Sequence, residues 1–418
     1  MAVESVAVRT TAPAASVGYQ TLMVGLLSLN FGILFFDRNA LNFLMPFVKP
    51  DLHLSNTQVG LTASALSFSW AVATLVIGAA SDRTGKRKIF LIGATIAFSL
   101  CSVLSGLATS FLALLGARFL MGIADGGVAP ISQSMTALTV APERRGIAMG
   151  VMQNFGSNLF GSFIAPVLLV AFATAFGWHR AFLITGVPGL ISALLLWRFV
   201  REPEAKAVVA DTESLFVRVS QVLKERNMVI CAITSVLLVS YLVVCWAFMP
   251  LFLTSVRGFT PQAMGWLMGT LGISATIGSF VVTGLSDRIG RRPVMIATSL
   301  LGVTLPLGAI FYGGPAWVLG AFFVVGWALN GQFPLFMGTV PSESVDHRHM
   351  ATAIAFVMCV GEIFGGVLAP TLAGWAADDY GLAAPLWIMT GLCIVSGVLA
   401  LGLRETAPLV LAKRAATR

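Results

Sequence analysis

Five charged side chains stand inside long apolar runs: Asp37, Arg38, Arg118, Asp125 and Glu362. A charge placed in lipid costs roughly 2.5–3.5 kcal/mol on insertion scales, so each is a functional candidate. Arginine stays protonated and presents a planar fork matched to a carboxylate or phosphate. Aspartate can take up and release a proton. The chemistry open to these groups is therefore non-covalent: an anion held between Arg38 and Arg118, with protons carried by Asp37 and Asp125. Arg118 and Asp125 are seven residues apart. That is one helical face and about 10 Å of axis, too long for a direct ion pair without extended side chains. Gly122 and Gly126 nearby predict open space. Asp37 and Arg38 are adjacent and diverge around their helix, with Asn42 one turn beyond Arg38 and Asn30 two turns before Asp37. A polar interior stripe is expected on that helix. A static ion-pair network tying two helices is the other use of these four residues.

Neutral groups add to the set. Gln153, Asn154, Ser157 and Asn158 repeat at four-residue spacing in one apolar run; Asn330, Gln332, Tyr241 and Trp246 stand in others. Amides and phenols can bind hydroxyls or a carboxylate, but they also bond across helices for about 0.6 kcal/mol. Glu362, in VGEIFGGVLAP, can hydrogen-bond a ligand, add a proton site, pair with an arginine, or bond a neighbouring helix. No nucleophile–base pair or phosphate loop is visible, so no enzyme is expected. The cysteines Cys101, Cys231, Cys245, Cys359 and Cys393 lack metal-ligand spacing, and no disulfide, metal or cofactor is expected.

These residues need elements to position them. Of 418 residues 57% are hydrophobic and 11% charged, against about 25% charged in a soluble domain. Continuous apolar runs at about 19–46, 57–80, 88–108, 110–134, 147–174 and 180–200 precede a polar stretch at 201–226. Six more follow at 228–256, 262–285, 293–313, 315–341, 350–376 and 382–403. Each is long enough to cross a bilayer as a helix. The expected fold is all-α, with twelve transmembrane helices in two six-helix bundles. The expected parts are a tail 1–18, a bundle 19–200, a linker 201–226, a bundle 227–404 and a tail 405–418. With the N-terminus cytoplasmic, only Lys49, Arg180 and Arg257 fall in outer loops, and Arg38 and Arg118 lie inside helices. Every other one of the 26 basic residues then falls on the cytoplasmic side. This obeys the positive-inside rule and accounts for the net charge of +8 without a nucleic-acid partner. The first 18 residues lack a signal-peptide core, and no Asn-x-Ser/Thr sequon occurs, in keeping with a bacterial inner membrane. Trp197, Trp317 and Trp387 are expected as interfacial anchors. Pro166, Pro250, Pro334 and Pro370 are expected as bending points.

The halves repeat. GAASDRTGKRK (Gly78–Lys88) follows the second run and GLSDRIGRRP (Gly284–Pro293) the eighth, with Asp82 and Asp287 in the same place in each. These loops resemble the signature Gly-x-x-x-Asp-Arg-x-Gly-Arg/Lys-Arg of the major facilitator superfamily, and the resemblance covers nearly the whole chain. Within it, FFDRNALNFLMP, ARFLMGIAD and WAFMPLFLTSVRG resemble the anion:cation symporters, which include sugar-acid carriers. The resemblance implies a conformational latch at Gly78, Asp82, Arg83, Gly85, Arg87, Asp287, Arg288 and Gly290. It implies proton coupling at Asp37 and Asp125 and favours Ser157 and Tyr241 as substrate contacts; with the charged and polar residues read above, the expected substrate contacts are Arg38, Arg118, Asn42, Ser157, Asn158, Tyr241 and Glu362. Asp125 stands where such carriers have a glutamate, and Glu362 where they often have an amide. The fifth run lacks the Gly-Pro-x-x-Gly-Gly pattern of proton antiporters. The expected function is proton-coupled symport of a small organic anion, a sugar acid or other carboxylate, by a monomer. The alternatives are an exchanger or uniporter with structural carboxylates, and a transporter-like membrane sensor.

Overall fold

The computed structural model describes residues 16–141, 144–203, 215–346 and 349–416. The side chain of Asp82, the residues Arg9 and Arg348, and parts of the linker and both tails lie outside the described residues. The described chain is helical throughout. The first half comprises α1 (Val17–Asp51), α2 (Asn56–Thr84), α3 (Arg87–Gly106), α4 (Phe111–Thr139), α5 (Ile147–Phe176) and α6 (Trp178–Phe199). The second comprises α7 (Arg226–Val256), α8 (Pro261–Ile289), α9 (Arg291–Phe311), α10 (Ala316–Ser344), α11 (Thr352–Tyr380) and α12 (Ala384–Ala400). The first eleven are long and apolar enough to span a bilayer, and α12 is shorter at 17 residues. Trp197, Trp317 and Trp387 are exposed near helix ends.

Local chemistry sets the helix ends. Ser55 and Gln58 form a capping box at the start of α2, satisfying two of the free amides there. Gly85 ends α2 with φ 67°, a left-handed turn that glycine adopts without strain. Inside the described helices, five stretches wind wider than an α-helix: Val151–Phe155, Ser157–Ile164, Phe252–Val256, Leu335–Thr339 and Gly361–Leu368. Pro166, Pro250, Pro334 and Pro370 each stand at the edge of one. Proline lacks the N–H that closes an α-turn and clashes with the carbonyl four residues back. A local change of winding re-satisfies the freed groups.

Packing within each half depends on glycine. A Cβ at Gly32 would lie 2.7 Å from the Gly156 carbonyl, and one at Gly161 2.5 Å from Phe35, so α1 and α5 meet backbone to backbone. In the second half a Cβ at Gly365 would lie 2.7 Å from the Val236 carbonyl, bringing α11 onto α7. Between membrane helices there is no hydrophobic drive to associate, and such close approach supplies the dispersion contact instead. Gly122 and Gly126 do not leave open space: Leu66, Ser69, Ala73 and Thr74 of α2 occupy it, and a Cβ at either would collide with them.

The halves meet on the side away from the termini. There α2 packs on α11, α5 on α8 and α1 on α7. The Asp378 carboxylate at the end of α11 accepts hydrogen bonds from the Asn56 and Thr57 amides, both 2.8 Å, and from the Thr57 hydroxyl at 2.6 Å. It thereby caps α2 from the other half. Lys49 Nζ donates to Asn56 Oδ1 beside it. Gly60 and Gly374 let α2 and α11 touch, and Ser64 bonds the Val367 carbonyl and Thr371. On the terminal side Val128–Thr139, Arg145–Gly150 and Met350–Val360 pack mainly within their own halves.

Candidate functional site

A cavity of about 280 Å³ lies between the halves. Arg38, Asn42, Arg118, Ser157, Asn158 and Glu362, all expected from sequence, border it. Asn39, Ser67, Trp70 and Trp246 border it too. Of these, Asn39, Ser67 and Trp70 were not singled out by sequence; helical spacing from Arg38 and the small residues of α2 were the only available signals.

The Arg38 guanidinium lies 5.0 Å from the centroid of Trp70 and 6.0 Å from that of Phe35. These rings hold it by cation–π attraction. Among the described residues no carboxylate forms a salt bridge with it. Arg118 is 3% exposed, and one terminal nitrogen donates to the Arg38 backbone carbonyl at 2.6 Å. The other lies 3.1 Å from the Met121 sulfur, and Nε has no partner. Arg118 thus braces α1 at the residue that carries the free cation. Asn39 does the same from another side, its amide donating to the Gly161 carbonyl of α5 at 3.1 Å.

The polar stripe expected on α1 divides in two. Asn30 and Asp37 face away from the cavity, toward α3 and α6. Asn30 accepts from Thr95 and Ser192, and Asp37 accepts from Ser102 at 2.5 Å, with Thr185 bonded to the same hydroxyl. Arg38 and Asn42 face the cavity. Asp37 and Asp125 are each 1% exposed, and each has a carboxylate oxygen with no hydrogen-bond partner. Neither pairs with Arg118 in a salt bridge, so the static network that their sequence spacing allowed is not formed among the described residues.

Tyr241 is not at the cavity. It is fully buried within the second half, stacked 6.0 Å from Trp327, and its hydroxyl donates to the Gly302 carbonyl at 3.0 Å. The resemblance placed it at the substrate; its position on α7 turns it toward α9 and α10 instead. Gln332 is also internal, bonded to Ser299. Ser157 and Asn158 lie on the wide-wound stretch of α5, and Glu362 on the corresponding stretch of α11. Their glycine-rich surroundings, NFGSNLFG and VGEIFGG, were the legible trace of that winding.

The expected latch residues stand at the terminal ends. Arg87 is buried, and its Nε donates to Ser134 at 2.8 Å. In the second copy the buried arginine is Arg291, one place earlier in the motif than Arg87, bonding Asp287 at 2.5 Å and Glu343 at 2.9 Å. Gly290, at φ 119°, turns the chain so that the Glu405 carboxylate accepts from the Arg291 amide at 2.7 Å. Arg83 and Arg288 are exposed, and Gly78 rests in ordinary contact with Pro130. Among the described residues no group of three histidine, cysteine or acidic side chains is placed to hold a metal.

The sequence matches the Major Facilitator Superfamily over residues 27–363 and 244–417. It is 28% identical over 397 residues to the hexuronate transporter of Bacillus subtilis (strain 168), covering 90% of this chain and 92% of that one. It is 28% identical over 378 residues to the 3-(3-hydroxy-phenyl)propionate transporter of Escherichia coli (strain K12), covering 87% and 89%. The fold superposes on the nucleoside transporter NupG with a TM-score of 0.78 at 16% identity, covering 91% and 99%. Two six-helix halves around a charged cavity and a family match spanning nearly every helix lead to one conclusion: the chain belongs to the major facilitator superfamily and is an integral membrane transporter.

Proposed function

We propose that this transporter is a proton-coupled symporter of a small organic anion, working by alternating access. The observation that carries the reading is Arg38, a guanidinium stacked on Trp70, in no salt bridge among the described residues and bordering the cavity between the halves. A half-buried guanidinium with no carboxylate in salt-bridge contact among the described residues keeps its donors open, and an incoming carboxylate can accept from them through paired hydrogen bonds. The relatives named for hexuronate and 3-(3-hydroxy-phenyl)propionate support the same class.

Proton coupling is read from Asp37 and Asp125. Both are buried behind the cavity wall, and both have an unpartnered oxygen. A proton taken there changes the charge set around Arg118, which itself holds Arg38. Coupling follows only if the proton stabilises one conformation over the other. The basic loops support an orientation with both termini in the cytoplasm, and the bacterial relatives support an inner membrane. The seam at Asp378 then closes the outer side, and the conformation is inward-facing. The repeated loops from Gly78 to Arg87 and from Asp287 to Gly290 would latch the opposite, outward-facing state. Both halves of one chain build the whole cavity, which supports a functional monomer. Residues 19–200 and 227–404 would be the two rocking units.

The test is uptake into proteoliposomes holding the full chain, with 3-(3-hydroxyphenyl)propionate and glucuronate as probes. Symport predicts accumulation above equilibrium when the outside is made acidic, collapsing with a protonophore. Equilibration without accumulation gives an exchanger or uniporter. Binding without any movement gives a sensor.

A further inference from the structure

We infer that the cavity selects a monocarboxylate with an apolar, ring-sized body and a hydrogen-bond donor at its far end, in preference to a polyhydroxy acid or a dicarboxylate. This rests on the organic-anion reading and narrows it.

The two walls of the cavity differ in chemistry. The first half lends mostly polar groups, among them Arg38, Asn42, Arg118 and Asn158, beside the apolar Phe35, Ala63, Leu66 and Trp70. The second half lends Val239, Leu242, Val243, Trp246, Phe333 and Met337. Only Asn330 and Glu362 are polar among the residues that the second half puts on the cavity. A hexuronate has a hydroxyl on nearly every carbon. Seated here, its hydroxyls on the second-half side would lose water without gaining partners, at about 1–3 kcal/mol each. An apolar body on the same wall instead gains about 25 cal/mol per Å² removed from water.

Trp246 is the fixed part of that wall. Phe43 meets it edge-on at 5.6 Å and Trp327 at 5.3 Å, so both rings hold its plane. A held indole is a surface for a flat ring, worth about 0.5–1.5 kcal/mol beyond area burial. The cavity volume, about 280 Å³, is at the small end of ligand pockets, which run roughly 300–1,000 Å³. One ring with a short acid tail is the matching size.

Glu362 sets the other end. It borders the cavity from the second half, whereas Arg38 borders it from the first. A Cβ at Gly366 would lie 3.0 Å from Glu362 Oε2 and 3.4 Å from Ser67 Cβ, so glycine there leaves the carboxyl its place beside α2. The site therefore has a cation on one wall and a carboxyl on the other. A ligand with carboxylates at both ends brings like charge to Glu362. A ligand with a hydroxyl there donates to it.

The experiment uses the detergent-solubilised full chain and four acids: 3-(3-hydroxyphenyl)propionate, 3-phenylpropionate, glucuronate and succinate. Calorimetry gives the Kd order, and proteoliposome uptake accompanies it. The hydroxyphenyl acid should bind about tenfold tighter than 3-phenylpropionate and about a hundredfold tighter than glucuronate or succinate. Trp246→Ala should shrink the gap between the aromatic acids and glucuronate. Glu362→Gln should improve succinate about tenfold by removing the like charge. Glucuronate or succinate binding as tightly as the hydroxyphenyl acid overturns this inference and leaves anion transport standing. Binding of none of the four overturns both. The expected Kd order without uptake upholds the selectivity and removes symport.

Discussion

Helix α5 packs on α1, and α11 packs on α7, by one device: a wide-wound stretch with glycines that lets two backbones touch. The winding covers Val151–Phe155 and Ser157–Ile164 on α5 and Gly361–Leu368 on α11, fifth helix against first in each half. What they present differs. The first pair offers Arg38, Asn42, Ser157 and Asn158 to the cavity, with Asp37 buried behind. The second offers Val239, Leu242, Val243 and Trp246, with Glu362 as its acid. The scaffold is duplicated and the chemistry is not. Four of the five intramembrane charges stand in the first half, so rocking the halves carries an apolar wall across a charged one. Charge substitutions in the first half should therefore act on affinity and coupling, and polar substitutions in the core of the second on stability.

The largest effect is expected at Arg38. Arg38→Ala should weaken binding of 3-(3-hydroxyphenyl)propionate by about 2–5 kcal/mol, more than thirtyfold, read by calorimetry. Arg38→Lys should recover part of it, since a point charge replaces a fork. The melting temperature should hold, because among the described residues no salt bridge depends on Arg38. An alanine variant with unchanged Kd would place the anion elsewhere and dissolve the contrast between the halves.

Next come Asp37→Asn and Asp125→Asn. Asparagine keeps an acceptor for Ser102 but cannot release a proton. Either variant should bind the acid yet lose pH-driven accumulation, while exchange of labelled for unlabelled acid continues. Full accumulation by both would take coupling away from the first half.

These contrasts were legible in the sequence to different depths. Twelve apolar runs and the repeated loop gave the architecture, because lipid allows a helix little other than apolar side chains. Charge in an apolar run was enough to single out Arg38 and Glu362. Direction around a helix was not enough. Asp37 and Arg38 are neighbours in the chain, yet one faces α3 and α6 and the other the cavity. Only the positions of Ser102, Thr185 and Trp70, far off in sequence, decide which. Gly122 and Gly126 read as open space, but a glycine pair serves equally to admit another helix, and α2 takes the room. Asp378 carried no motif at all; its role comes from the start of α2, over three hundred residues earlier.

Asp378→Ala addresses a place where the second half supplies charge across the seam. The first-turn amides of α2 would lose their acceptor, at about 0.5–2 kcal/mol for a capping carboxylate. Amide exchange at Asn56 and Thr57 should quicken by about two- to thirtyfold, with affinity for the acid little altered. No change in exchange would mean that the glycine contacts at Gly60 and Gly374 hold the seam unaided.

Tyr241 offers the smallest effect and the sharpest separation of wall from core. Its hydroxyl is spent on the Gly302 carbonyl at 3.0 Å, tying α7 to the end of α9. Its ring packs on Trp327, which in turn holds Trp246. Tyr241→Phe keeps the ring and leaves that carbonyl without its donor. A lost internal hydrogen bond of this kind costs about 1 kcal/mol, so the melting temperature should fall by about one degree in a chain of this length. The Kd for 3-(3-hydroxyphenyl)propionate should stay as it is, because the phenol does not reach the cavity. Were the hydroxyl a ligand contact, the same variant would weaken binding and spare the fold. The two readouts move in opposite patterns, and the pair of measurements tells whether the second half touches the anion through polar groups beyond Asn330 and Glu362.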